Sequence, residues 1–170
     1  MNTRLITLSL IVFAIAMFRI LPHPPNVSPV AAMALFGGAY FSDRRVAFIV
    51  PFLALLLSDV LIGLHDTMVY VYAGFALTVV IGFWIGQKLN ISRIAIAVLV
   101  SSGLFFVITN FGAWATSGLY PMTAEGLLQA YIAAIPFFQN SLLGNMVFAT
   151  LLFGGFALLQ RNIPGIAENA

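Results

Sequence analysis

The sequence predicts an all-α membrane protein: a bundle of six transmembrane helices with both termini on the cytoplasmic side. Three observations carry that expectation. Of 170 residues, 62% are apolar and only 7% charged, and the mean hydropathy is +1.07. A water-facing domain carries about 25% charged residues. The apolar residues gather into six stretches parted by charges, prolines and turn residues, most of them near the roughly 20 residues that a hydrocarbon core of about 30 Å requires. The seven bases also fall on alternate loops instead of being spread evenly.

This composition excludes a soluble enzyme, a nucleic-acid-binding protein and a disordered regulator. Lack of cysteine excludes disulfides, iron–sulfur clusters and thiolate metal sites.

The whole chain, 1–170, reads as one membrane domain. Its first span, 5–20, is closed by Arg19 and by a run from Leu21 to Asn26 that holds Pro22, Pro24 and Pro25, which cannot continue a helix. The second, 28–41, has Pro29 in its first turn and Ser42-Asp43-Arg44-Arg45 as its stop. It is short, so it needs thinning of the bilayer or burial against neighbours. The third, 46–64, ends at Gly63 before His65-Asp66, and the fourth, 68–86, ends before Gln87-Lys88-Leu89-Asn90. The fifth, 94–112, runs into a polar stretch around Ser117 and Pro121. A short helix over 124–135 is capped by Thr123, has Glu125 at the positive end of its dipole, and meets a breaker in Pro136, so that it either lies on the surface or continues into the sixth span through a kink. The sixth span, 137–159, ends at Gln160-Arg161-Asn162.

Charge placement tests this map. With the N-terminus inside, the cytoplasmic face receives Arg4, Arg44, Arg45, Lys88, Arg93 and Arg161, and the outer face only Arg19. That is a positive-inside bias at every loop. The competing reading is a cleaved signal peptide, with Arg4, an apolar run and Ala14-Ile15-Ala16, which would leave five spans.

Polar groups inside a bilayer are costly, so their positions carry the functional information. Asp59 is the only carboxylate within a span, in reach of pairing with Arg19 or His65. Asn110 lies near the outer end of the fifth span. Gln139 and Asn140 open the sixth, with Asn145 about one turn deeper. All sit in outer halves, which predicts a cup opening outward rather than a through-pore. The proline-stiffened first outer loop carries Arg19, His23 and Asn26 and is placed to serve as a lid. Trp114, Tyr120 and Tyr131 suit interfacial anchoring or a pocket for a flat solute. The expected substrate-binding set is therefore Asp59, His65, Asn110, Asn140, Gln139, Trp114, Arg19, His23 and Asn26. No catalytic residue, cofactor or metal is expected. Small residues on the second span (Ala31, Ala34, Gly37, Gly38) and a GxxxG on the fourth (Gly82, Gly86) predict close helix packing, or a face for another subunit.

No Walker A sequence, HExxH or GxSxG is present, so the chain carries no ATP-hydrolysing motif of its own.

The run from Pro22 to Phe41, with Ser58-Asp59-Val60-Leu61-Ile62-Gly63-Leu64-His65 and Ile135-Pro136-Phe137-Phe138, resembles a small bacterial integral-membrane family of unknown function whose members are described only as candidate transport proteins. The layout is also similar to the substrate-capture (S) components of energy-coupling factor transporters. That resemblance implies the bacterial inner membrane, a vitamin-like solute bound near the outer face, and a separate membrane coupling protein with ATPases. Cobalamin is one candidate solute, which would need His65 or His23 as an axial ligand. S components dock through an alanine-rich first helix, whereas here only Ala14 and Ala16 stand there. Two other readings are a non-transporting assembly subunit, using the small-residue faces, and an intramembrane enzyme using Asp59 and His65 as an acid–base pair.

Overall fold

The computed structural model describes residues 3–166. Its helices are α1 (Thr3–Met17, continued by a 3₁₀ turn over Phe18–Ile20), α2 (Val30–Tyr40), α3 (Arg44–Ile62), α4 (Met68–Gly86), α5 (Ile91–Thr116), α6 (Ala124–Ala149) and α7 (Gly155–Asn162). A π turn over Thr150–Gly154 joins α6 to α7 without a break. No strand occurs among the described residues. Among the described residues, five stretches are long and apolar enough to cross a membrane: Thr3–Ile20, Arg44–Ile62, Met68–Gly86, Ile91–Thr116 and Ala124–Asn162.

The stretch expected as a second span, 28–41, differs from the others. Its helix α2 has 11 residues, a rise of about 16 Å, too little for a full crossing. It is enclosed instead, with every residue but Ala39 buried, and it touches α1, α3, α4, α5 and α6. Its small residues make this enclosure feasible. A Cβ on Gly82 would lie 2.6 Å from the Leu35 carbonyl oxygen, and one on Gly86 would lie 2.7 Å from that of Ala39. The backbones of α2 and α4 therefore meet directly. Gly37 likewise leaves room for the Pro51 ring of α3. The GxxxG face of α4 is thus spent inside the bundle.

A second difference concerns the short helix over 124–135 and the span 137–159, which form one continuous rod. Pro136 lies inside α6 and does not end it. Proline removes one backbone hydrogen bond, and apolar surroundings offer the freed groups no better partner than the helix they leave. Thr123 does cap this helix, its Oγ1 accepting from Gly126 N at 3.1 Å. α5 is also longer than 94–112, because Asn90 caps it early by accepting from Arg93 N at 2.9 Å.

One end of the bundle is basic and tightly filled. Arg4 donates to the carbonyls of Ile166 and Tyr40 at 3.3 and 3.4 Å, tying the start of α1 to the end of α2 and to the segment after α7. Arg4 sits over the Phe156 ring, Arg44 over Phe83 and Arg93 over Trp84, each a cation–π contact of 5.0–5.8 Å. Beneath them Phe36, Tyr40, Phe153 and Phe156 pack edge to face or tilted, with centroids 4.6–5.6 Å apart. The opposite end carries the loop from Leu21 to Pro29, and there the packing opens.

Candidate functional site

The loop is fixed at three points. First, Arg19 donates to Asp59 Oδ1 at 2.7 Å, to the Ser58 hydroxyl, and to the Leu55 carbonyl at 3.4 Å, all on α3. The other Asp59 oxygen accepts from the Tyr72 hydroxyl of α4 at 2.9 Å. Second, His23 stacks on Phe18 with a ring separation of 6.0 Å and an interplanar angle of 15°. Third, Asn140 on α6 donates to the Pro25 carbonyl at 3.1 Å, and Gly144 lets Val27 lie against the same helix. Between these anchors Val27 N donates to Pro24 O at 3.1 Å, closing a turn whose third residue, Asn26, has φ +62°. Proline second and a left-handed Asn third is the chemistry of a type II turn.

Under this loop lie two joined chambers, of about 160 and 200 Å³. They share Asn26, Phe105, Ser141 and Asn145. The first runs between α5 and α6 and adds Ser102, Thr109 and Asn110 to a wall of Phe106, Phe137 and Phe138. The second reaches toward α1 and α2 and adds Arg19, Ser28, Val30 and His65. Asn145, 6% exposed, donates through Nδ2 to Ser102 Oγ at 3.0 Å, while its Oδ1 is buried with no partner. Ser28 Oγ is likewise buried and unpartnered. Orphaned polar atoms are rare in folded proteins because each costs about 1–3 kcal/mol. Ser28 lines the second chamber, and Asn145 lines both.

The family model described as a family of unknown function, DUF6580, matches residues 1–166. The chain belongs to the DUF6580 family. No curated protein and no solved structure matches it.

The residues expected to bind a solute in this DUF6580 protein fall into three groups. Arg19, Asn26, His65 and Asn110 line the chambers. Asp59, His23 and Asn140 stand one layer behind and hold the loop or its anchor in place. Asp59 is 1% exposed with both oxygens engaged, and His65 is no partner to it, bonding instead to Thr67 Oγ1 at 2.8 Å. Gln139 is exposed and lines neither chamber, and Trp114 donates to Pro121 O at 2.9 Å, pinning the 117–123 loop. Among the described residues no group of three His, Asp or Glu gathers as a metal site would.

Sequence reasoning passed over Ser102, Thr109 and Ser141 as site residues. A signal for them exists. Residues 102, 105, 106, 109 and 110 follow helical spacing, as do 134, 138, 141 and 145, so two mixed aromatic and polar stripes face each other across α5 and α6.

Proposed function

We propose that this DUF6580 protein is the substrate-capture component of an uptake system in a bacterial inner membrane, binding a small micronutrient-like solute under the loop between α1 and α2. The observation that carries the reading is the unpartnered Oδ1 of Asn145 in the wall common to both chambers. Charge gives the orientation. The basic end, with Arg4, Arg44, Arg45, Lys88, Arg93 and Arg161, faces the cytoplasm, so the chambers open outward and both termini lie inside. The aromatic packing of Phe36, Tyr40, Phe153 and Phe156 supports a closed inner half. Without a nucleotide-binding motif, the protein draws energy from a separate membrane coupling protein and its ATPases, as S components do. Together the two chambers stand at the low end of the roughly 300–1,000 Å³ of drug-sized pockets, which favours a solute of one or two rings over a corrinoid such as cobalamin. An assembly subunit is less well supported, because Gly38, Gly82 and Gly86 are already consumed between α2 and α4.

Native mass spectrometry of the full chain, released gently from its own membranes, tests the proposal. A bound small molecule is expected, present in the parent, lost from Asn145→Ala and at reduced occupancy in Thr109→Val. No such adduct, or one retained at full occupancy in both variants, would remove the cavity as its site.

A further inference from the structure

The hydrogen bonds already made around the chambers limit what the occupant can be. Thr109 donates its hydroxyl hydrogen to Phe105 O at 2.8 Å, and Ser141 donates to Phe137 O at 3.1 Å. Asn110 spends an amide hydrogen on Phe106 O at 2.8 Å. Each partner is the carbonyl four residues earlier on the same helix, the usual back-bond of a polar side chain in a helix interior. The consequence is directional. Hydroxyls that have given their hydrogen to the backbone present lone pairs to the cavity. Asn145 adds an orphaned carbonyl oxygen, its amide nitrogen being engaged by Ser102. The wall therefore presents oxygen acceptors at Thr109, Ser141 and Asn145, beside donors on the hydroxyls of Ser28 and Ser102 and the second amide hydrogens of Asn110 and Asn145.

Charge narrows the choice further. Among the described residues, Arg19 and His65 are the only ionisable side chains lining the chambers, and Arg19 is already matched by Asp59. An anion would meet oxygen lone pairs and a neutralised arginine. A cation would find no carboxylate, since both Asp59 oxygens are occupied, and burying an unmatched charge costs several kcal/mol. The apolar part of the first chamber is aromatic, with Phe105, Phe106, Phe137 and Phe138 lining it, which suits a flat ring.

Resting on the capture reading above, we infer that the occupant is an uncharged aromatic heterocycle that carries N–H or O–H donors. Its ring lies in the phenylalanine-lined chamber, and its donors meet Asn145 Oδ1 and the hydroxyl oxygens of Thr109 and Ser141.

Four matched probes separate this class from its competitors: benzimidazole, 1-methylbenzimidazole, benzoate and benzyltrimethylammonium. Ligand-observed NMR on the full-length protein in nanodiscs at pH 8 reads their weak binding. Benzimidazole should bind roughly tenfold tighter than its N-methyl form, the worth of one hydrogen bond to a buried acceptor. That advantage should vanish in Asn145→Ala and shrink in Thr109→Val, which only exchanges a locally bonded hydroxyl for a methyl. Equal binding of the two neutral probes, or binding of either ion that depends on Asn145, overturns the chemical class while leaving the cavity as a site. If none of the four responds to Asn145 or Thr109, both the class and the capture reading fall.

Discussion

The Arg19 guanidinium and the Asp59 carboxylate meet at 2.7 Å with Asp59 only 1% exposed, which joins the end of α1 to the last turns of α3. A buried pair of this kind contributes little net stability compared with an apolar pair, but breaking one half strands a charge. Asp59→Asn and Arg19→Met should each destabilise the protein by about 3–5 kcal/mol. The double variant should lie nearer the parent than either single, because no orphaned charge remains and the amide oxygen introduced by Asp59→Asn can still accept from Tyr72. Thermal unfolding of the four proteins in one detergent checks this, and additive losses would contradict it.

The loop above the chambers hangs on a single side-chain bond to α6. Asn140→Ala removes the amide that holds Pro25 O, at a cost of about 0.5–1.5 kcal/mol for a neutral bond. The Val27 amide, bonded to Pro24 O in the adjacent turn, should then exchange its hydrogen about 2–13 times faster. Hydrogen–deuterium exchange of the peptide spanning Val27 reports this directly, and unchanged exchange would mean that the loop is held elsewhere. Asn26, at φ +62°, adds a control. Asn26→Gly should be tolerated, whereas Asn26→Val should cost about 1–2 kcal/mol, because a branched side chain resists the left-handed region.

Much of the helix map was legible because charges and prolines punctuate a chain otherwise uniformly apolar. Arg44 and Arg45, Lys88, Arg93 and Arg161 mark helix ends correctly, and the segment from Leu21 to Pro29 is a loop as its prolines require. Two features were legible only in part. Pro136 left two outcomes open, a surface helix or one continuing into the sixth span, and α6 runs through it because no water competes for the freed groups. α2 reads as a short span needing thinning of the bilayer or burial against neighbours, and its small residues predict close packing; that it sinks among five other helices is set by tertiary contacts the sequence does not specify. At the site, the convergence of Arg19, Asn26, His65 and Asn110 followed from depth alone. For Asp59 the sequence left Arg19 and His65 both open as partners, because depth does not tell which neighbour takes up a carboxylate; Arg19 and Tyr72 do so here. Ser102, Thr109 and Ser141 are absent from the expected set, although their helical spacing with phenylalanines is present in the chain.

Packing of α2 on α4 has no slack. A side chain on Gly82 would meet the Leu35 carbonyl at 2.6 Å and the Gly38 Cα at 2.8 Å, backbone atoms that cannot rotate away. Gly82→Val should therefore separate the two helices and destabilise the bundle by at least the roughly 1–3 kcal/mol typical of overpacking. Gly103, with open space around its Cβ position, should accept alanine with no loss. Comparing the fluorescence-detected elution profiles of the two variants after a heat step separates these outcomes. Equal survival would show that the GxxxG face is free for a partner instead.

Orientation follows from the bases and is open to a direct check, because the chain has no cysteine of its own. Ser92 lies at the start of α5 beside Arg93, at the basic end, and Ser117 lies just past the end of α5, at the end that carries the chambers; both are exposed. Ser92→Cys and Ser117→Cys thus place one thiol at each end of the same helix. If the positive-inside rule sets the topology, a membrane-impermeant maleimide added to intact cells should label only the Ser117→Cys protein. Disrupting the membrane should expose Ser92→Cys as well. The reverse pattern would turn the chambers toward the cytoplasm, and the cavity would then serve release or export rather than capture from outside.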